Sequence, residues 1–342
     1  MRRWGNISDG TTFTNVFRAG QVLFGKRRAY QRKVAVPDFD GVCSGDIYVL
    51  ESKSDRLLRE LLPFICQTDG FLHHAVGTSA GSLSPRTNWD SLASYDLALP
   101  PLDEQRRIAD VLRETESLIQ SLHSLAHALR VTANALVEDT IQQAPNSALE
   151  RVAELLIEPP RNGVSPAANA DGAGLRTVSI SAVSAGVFDP SGCIKHARID
   201  PEAARPFFVR QGDVFVIRGN GNRHLCGKAG LTDRSFDDLF YPDLLIRLRF
   251  DPSKILPEFA VTQWNLPSVH ARLSARAKSS NGIWKVNGQD IRVHRLVAPP
   301  LDKQKTLMES VTKLRLAAGD AAARAKAAAG IKATVLSKAA GV

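Results

Sequence analysis

From Ile108 onward the apolar positions recur in alternating steps of four and three: Ile108, Leu112, Thr115, Ile119, Leu122, Ala126, Leu129, Ala133, Leu136 and Thr140. That spacing is the period of an amphipathic helix carrying one continuous apolar seam. The same register 199 residues downstream runs through Leu307, Val311, Leu314, Ala318, Ala321, Ala325, Ala328, Lys332, Val335 and Ala339, many of them alanine. A proline pair stands just upstream of each seam, Pro100-Pro101 and Pro299-Pro300, and an acidic residue, Asp103 or Asp302, is well placed to begin each helix. The pattern predicts helical segments within 100–145 and 299–342. A helix over 103–142 would be ~60 Å long at ~1.5 Å per residue, longer than a small domain, so it is expected to bridge domains. A seam of large residues facing an alanine-rich one lets two helices approach closely as a coiled coil. The first helix enters the domain that the second one leaves. Pairing is therefore expected to be antiparallel, with a domain at either end of a rod and a pseudo-twofold axis between them.

Between the helical stretches the period changes, and an internal repeat emerges. Pro100-Pro101-Leu102-Asp103-Glu104-Gln105 recurs as Pro299-Pro300-Leu301-Asp302-Lys303-Gln304. Upstream, Val16 to Phe24 matches Phe208 to Val216, each a turn opening a strand. Asp46-Ile47-Tyr48-Val49-Leu50 is matched to Asp243-Leu244-Leu245-Ile246-Arg247, and Gly81–Trp89 to Gly282–Val286. A period this long denotes a duplicated domain rather than a solenoid. The expected fold class is α/β (mixed α+β): two similar domains, 1–99 and 146–298, separated by a long antiparallel two-helix coiled coil formed by 100–145 and 299–342. Counted from Arg151, 59 residues precede Arg210, whereas 17 precede Arg18. The first domain is accordingly expected to be incomplete at its N-terminus, through truncation or through a start codon assigned too far downstream.

Composition narrows the function. The chain holds 44 Lys+Arg against 35 Asp+Glu, a formal charge of +9, which attracts a polyanion through counterion release but is also met on basic surfaces that bind none. Two domains related by a dyad suit a two-part DNA site. The apolar runs are too short for a membrane span, and no apolar signal core follows Met1, so a cytoplasmic protein is expected. Cys43, Cys66, Cys193 and Cys226 are too dispersed for a CxxC metal pair and too few for a disulfide framework. Within Gly219 to Lys228, five residues separate Gly221 from Gly227 rather than a P-loop's four, and Ala229 follows the lysine. The eight histidines show no HExxH spacing, and no methyltransferase Asn/Asp-Pro-Pro-Tyr/Phe motif or helicase signature is found. No metal or cofactor is expected in this chain, and no catalytic residue.

Leu99 to Leu112 resembles the Pro-Pro-Leu-x-Glu-Gln-x-x-Ile-Ala-x-x-Leu signature of the specificity (S) subunit of Type I restriction-modification systems. Arg161-Asn162-Gly163-Val164-Ser165, Gln211 to Gly221 and Ser279 to Val286 are similar to that family's target-recognition domains. The resemblance implies that each domain reads one half of a bipartite site in double-stranded DNA. It implies that the paired helices act as spacer and docking surface for methyltransferase (modification) subunits, two of them, and that restriction/translocase subunits join the complex. Adenine-N6 methylation with S-adenosylmethionine, and cleavage driven by ATP and magnesium, would reside in those partners. The resemblance also adds the expectation that the protein is prokaryotic and nucleoid-associated when bound to DNA. The departures are the short first domain, Lys303 in place of Glu104, and Leu307-Met308 in place of Ile108-Ala109. They leave a second reading open, a docking remnant that holds methyltransferase subunits without selecting a full site.

Base-edge contacts need Arg, Lys, Asn or Gln on loops rather than on the helices. In the second domain the candidates are Arg218, Asn220, Asn222, Arg223 and Lys228, then Arg276, Lys278, Ser279, Ser280 and Asn281. In the first they are Lys26, Arg27, Arg28, Tyr30, Arg32 and Lys33, then Ser84 and Arg86. Each could instead be a solvated charge or a turn-stabilising Asn. Trp284 is expected in a domain core rather than stacked on a base. Helix pairing is assigned to Ile108, Leu112, Ile119, Leu122, Leu129 and Leu136 on the first seam and to Leu307, Val311, Leu314 and Val335 on the second.

Overall fold

The computed structural model describes residues 10, 12–81, 83–166, 168–169, 172–184 and 186–339; the side chains of Ser280 and of the seam's last residue, Ala339, lie outside the described ones. The chain divides into two compact units, Met1–Ala126 with Gly319–Val342, and His127–Ala318. The helices are α1 (Leu62–Ile65), α2 (Asp69–Gly77), α3 (Trp89–Ala93), α4 (Leu102–Gln143), α5 (Pro201–Ala204), α6 (Pro257–Trp264), α7 (Pro267–Ser274), α8 (Gly288–Arg292) and α9 (Leu301–Ala339).

In the first unit the strand Val22–Gly25 is the middle of three, between Val34–Ala35 and Ile47–Leu50. Its side chains alternate, as the two-residue period of a strand requires. Val22 and Phe24 face a core with Cys66, Phe71, Leu72 and Ala75 of the α1–α2 region, whereas Leu23 packs with Phe17 and Cys43 on the other side. The second unit is built around Val214–Ile217, which lies between Ala229–Leu231 and Leu245–Leu248 in a six-stranded sheet. Val214 and Val216 pack with Phe259 and Trp264 of α6, and Phe215 and Ile217 with Val178, Tyr241 and Leu245. Burial on both faces explains why this strand is a continuous apolar run instead of an alternating one. The strands at 161–197 that extend this sheet and build a four-stranded neighbour come from the segment ahead of Arg210.

Both units begin their central strand in the same way. Gly20 and Gly212 take φ of 80° and 82°, a left-handed conformation that a side chain would strain. The preceding N–H of Arg18 donates to Gln21 Oε1 at 2.8 Å, and that of Arg210 to Asp213 Oδ2 at 2.9 Å. The strand that follows is matched one residue out by sequence. Ile47 stands opposite Gly25 and Leu245 opposite Ile217, so Asp46 corresponds to Leu244, and Asp243 to Gly45. The shared Asp pulled the match out of register, although a slip of one residue exchanges the faces of a strand. The match of Gly81–Trp89 to Gly282–Val286 is corrected too. Ala80 and Arg86 close a five-residue loop, whereas Ser280 and Ile283 close a two-residue turn.

The Pro-Pro-Leu repeat has a packing reason. Pro101 and Pro300 cap the two long helices, their carbonyls accepting from the N–H groups of Gln105 and Gln304. Gln105 Oε1 accepts from Leu58 N–H at 2.8 Å, and its Nε2 donates to the carbonyls of Arg56 and Pro100 at 2.7 and 2.9 Å. Gln304 repeats the clamp on Leu256 N–H, Lys254 O and Pro299 O at 2.8, 3.1 and 2.7 Å. Each glutamine thus ties the start of a long helix to the loop that enters α1 or α6.

Inside each unit the long helices run antiparallel. In the first, Ile108, Ala109 and Leu112 of α4 share a cluster with Val335 and Leu336 of α9. In the second, Ala133 and Val137 of α4 share one with Leu307, Met308, Val311 and Leu314 of α9. Leu112, Ala126 and Ala133 are buried and Ile108, Ile119, Leu122 and Leu129 partly buried, as are, on α9, Val311, Ala318, Ala321, Ala325 and Ala328 buried and Val335 partly. Leu136 departs from its expected place: it is 37% exposed, and Val137 is buried instead. A straight helix turns every 3.6 residues, so a strict 3.5-residue register drifts by about 20° per heptad and loses the seam near the end of α4. Lys332, the polar position of the second seam, reaches Gln67 Oε1 at 3.0 Å and pairs with Glu116 of α4. Among the described residues no helix is long and apolar enough to cross a membrane.

Candidate nucleic-acid interface

In the second unit the candidate residues converge on a small three-stranded sheet ordered Gly219–Asn220, Ile283–Lys285, Lys278–Ser280. Lys285 stands opposite both Gly219 and Lys278, and Trp284 opposite both Asn220 and Ser279. The alternation of a strand therefore sets Lys278 and Lys285 on one face, and Trp284, Asn220 and Ser279 on the other. Both lysines are exposed. A Cβ at Gly219 would come to 3.4 Å from Lys285 Cγ, so the glycine leaves room for the lysine stem.

Asn281-Gly282 closes the hairpin with φ of 50° and 75°. Two successive positive φ values are what a two-residue hairpin turn of the I′ type requires, and Asn-Gly is its preferred pair. Asn281 thus has a backbone duty at the tip. Asn220 Oδ1 accepts from Asn222 N–H at 2.8 Å and Asn222 Oδ1 from His224 N–H at 3.0 Å, two local turns that shape the loop leading to Arg223. Arg223 lies with its guanidinium 4.5 Å from the centre of the Trp284 ring and donates to Ser274 O at 3.2 Å. Trp284 itself is partly buried and packs on the main core of the unit. Arg218 donates to Asp243 O at 3.3 Å and stands 3.8 Å from its carboxylate. Arg276 is exposed just beyond α7.

Lys228 is placed apart from the rest. Its ammonium is turned inward to donate to Asn265 O at 3.0 Å, and burial lowers its pKa. It precedes the central-sheet strand Ala229–Leu231, which draws it toward α6.

The first unit assembles its candidates at the corresponding place. Thr87 N–H donates to Lys26 O at 3.0 Å just as Val286 N–H donates to Arg218 O at 2.9 Å. Lys26 therefore corresponds to Arg218, and the bridge between Arg27 and Arg86 to the pair Gly219 and Lys285. The Lys26 ammonium sits 4.7 Å from the Tyr48 ring centre. Arg27 donates to Ser84 Oγ at 3.2 Å and lies 3.5 Å from Asp46, and Arg28 donates twice to Ser84 Oγ, at 3.1 and 3.3 Å. Arg86 Nε donates to Asp46 Oδ1 at 2.9 Å. Partial burial pushes the Asp46 carboxyl up, but Arg86 and Arg27 outweigh it and hold its pKa below the usual carboxylate value. Tyr30 is exposed on a short turn, Ala29–Gln31, flanked by Arg28 and Arg32 with φ of 56° and 51°. Arg32 reaches Asp69 at 2.7 Å, while the Lys33 carbonyl accepts from Gly25 N–H at 3.0 Å. Leu83, between these basic groups in sequence, is 92% exposed.

Among the described residues three non-glycine positions have positive φ: Arg28, Arg32 and Asn281. All three belong to these two clusters. Sequence reasoning missed Asp46, Asp243 and Lys285. The period-two alternation from Lys278 across the Asn-Gly turn was a signal for Lys285. The two acids carried no local signal, because their partners arrive from distant strands. Among the described residues there is no cluster of acidic, His or Cys side chains able to hold a metal.

Comparison with known proteins finds similarity over parts of the chain. Residues 7–128 match the family model for the Type I restriction modification DNA specificity domain. The chain is 26% identical over 271 residues to the EcoKI specificity subunit of a Type I restriction enzyme of Escherichia coli K12, covering 72% of this chain and 58% of that one. It is 32% identical over 152 residues to the EcoDI specificity subunit of Escherichia coli, covering 44% of this chain. The chain thus spans 58% and 29% of the length of these two relatives. Among solved structures, the Type I restriction-modification S subunit from M. genitalium matches with a TM-score of 0.56 at 12% identity, covering 96% of this chain and 84% of that one. A chain from a structural study of complex assembly and conformational transition in the type I system also has a TM-score of 0.56, at 20% identity, covering 95% of this chain and 82% of its own length. These two likenesses establish the fold.

Proposed function

From the match of residues 7–128 and the similarity to specificity subunits of Type I restriction enzymes, we propose that this chain is a specificity subunit of a Type I restriction-modification system that reads a bipartite site in double-stranded DNA and directs partner subunits there. The observation that carries the reading is the recurrence of one cationic site in both units, Lys26 with Arg27 and Arg86 in one and Arg218 with Lys278 and Lys285 in the other. Arginine and lysine on a hairpin and its adjoining loop suit phosphate and base-edge contact. Residues 1–99 and 146–298 act as target-recognition domains, and 100–145 and 299–342 as spacer helices that also offer surface to two methyltransferase subunits. Methyl transfer to adenine N6 with S-adenosylmethionine, and ATP- and magnesium-dependent cleavage, belong to the partners, so this chain contributes selection and no bond chemistry.

The test is to co-express the chain with its modification subunit in a methylation-free host and map N6-methyladenine across the genome. One bipartite motif with a fixed spacer is expected. Complex formation without methylation at any motif would overturn the reading. Arg218→Ala is expected to weaken binding to the mapped site by about 1–3 kcal/mol if a bidentate guanine contact is lost. Unchanged affinity and an unchanged motif would remove Arg218 from the interface.

A further inference from the structure

The first unit sets a carboxylate in the middle of its basic cluster. Asp46 is 30% exposed, takes the Nε of Arg86 at 2.9 Å and lies 3.5 Å from Arg27. For a surface that only attracts phosphates such an acid is counterproductive. It cancels part of the positive charge and repels the polyanion, and each phosphate contact forgone shrinks the counterion term that drives binding. A carboxylate there has a use if the direction of the guanidinium groups matters more than their total charge. Arginine is planar with five N–H donors in a fixed fork; a bond at Nε holds the plane and leaves the terminal nitrogens to face a second partner. Ser84 fixes two more guanidinium planes by a different edge: its hydroxyl oxygen accepts from Arg27 Nη2 at 3.2 Å and from Arg28 Nε and Nη2 at 3.3 and 3.1 Å, and each group keeps further N–H donors for a second partner. Arg28 is held there in a left-handed backbone conformation, φ 56°, that a non-glycine residue adopts at a cost of about 1–2 kcal/mol. Strain of this kind gathers where a side chain must be aimed. The second unit has the same device from a neighbouring position: the Asp243 carboxylate lies 3.8 Å from Arg218 and is itself fixed by Ser165 Oγ at 2.6 Å.

Resting on the DNA-recognition reading above, we propose that Asp46 and Ser84 are positioning residues that orient Arg27, Arg28 and Arg86 to read guanine edges in the first half of the site. Bidentate donation from an arginine to guanine O6 and N7 is the commonest specific contact in the major groove, and it needs the guanidinium plane aligned with the base. Orientation in advance of binding lowers the ordering cost at the moment of contact.

The experiment selects bound duplexes from a pool of double-stranded oligonucleotides with 20 randomised pairs, using the full chain as wild type, Asp46→Asn and Ser84→Ala. The selected motifs are read together with the affinity for the unselected pool and its salt dependence. Asn keeps the shape of Asp and removes the charge. The expected result is opposed movements: Asp46→Asn binds the unselected pool as tightly or more tightly, while preference for guanine falls by about fivefold or more at one or two positions of one half-site only. Ser84→Ala lowers the same preference. A purely structural role would not separate base preference from total affinity. If both variants keep the wild-type preferences at every position, the positioning role is overturned while the DNA reading stands. If the wild-type chain enriches no motif, the DNA reading fails and the positioning role with it. Melting midpoints of the variants confirm that each stays folded.

Discussion

Replacing Gln304 by Met isolates the clamp that starts the second long helix. Gln304 is fully buried, and its amide serves three backbone groups at once: Leu256 N–H, Lys254 O and Pro299 O. Met fills nearly the same volume with a flexible, unbranched chain, so no large cavity clouds the result. What is lost is hydrogen bonding. A buried N–H left without an acceptor costs about 1–3 kcal/mol, and a carbonyl that loses a donor somewhat less, because under-satisfied carbonyls are better tolerated. For one donor and two acceptors the expected loss is roughly 3–5 kcal/mol. In a unit of this size each kcal/mol lowers the midpoint by about 2–4 °C, so the melting transition of the second unit should fall by about 10 °C. Differential scanning calorimetry of the full chain reads it, with urea denaturation as a check. Gln105 makes the matching three bonds in the first unit, so Gln105→Met should give a similar loss in that unit's transition. A fall of less than about 2 °C for Gln304→Met would refute the reasoning, since it would mean that these groups find water or one another at no cost.

Two further outcomes follow from the second unit. His294 is buried against Trp264 with no partner for Nε2 among the described residues, and burial, reinforced by Arg272, Arg276 and His270, lowers its pKa to about 4. The unfolded chain takes up this proton near pH 6.5 and the folded one only near 4. Its contribution to stability is therefore complete above about pH 6.5 and is lost as the pH falls toward 4, at roughly 1.4 kcal/mol per pH unit. His294→Phe should flatten that limb of a denaturation series run from pH 7 to 4.5, and a limb of unchanged slope would contradict the assignment. At the hairpin tip, Asn281→Gly should leave stability nearly unchanged, whereas Asn281→Ala should cost about 1–2 kcal/mol, because alanine resists positive φ. Comparing DNA binding by these two variants separates the turn from the side chain: equal binding by Asn281→Gly and wild type leaves Asn281 with its backbone role alone.

The long helices, their antiparallel pairing and the duplication were legible in the sequence because each rests on local periodicity or on identity at a fixed offset. The Pro-Pro-Leu-x-x-Gln motif was legible as a motif. Its physical reason was not, since Gln105 and Gln304 grip loops that lie 47 and 48 residues upstream. Register was the other limit. A shared Asp aligned Asp46 with Asp243, and only the ladders opposite Gly25 and Ile217 place Asp46 beside Leu244 instead. For the candidate site, side-chain chemistry and loop placement marked the arginines and lysines, and tertiary structure decided what each one faces. Lys228 carries the same charge as Lys278, but Asn265 draws it into the interior while Lys278 stands on an exposed strand face. Asp46 could not be recognised in advance at all, and Ser84 was marked as a DNA contact but not as an anchor for arginines, because an ion pair or hydrogen bond between residues 19 to 57 positions apart depends on how strands come together. Periodicity acts through the backbone within a few turns or pleats of the chain. The direction of a charged side chain depends on its partners, and folding alone brings those partners within reach.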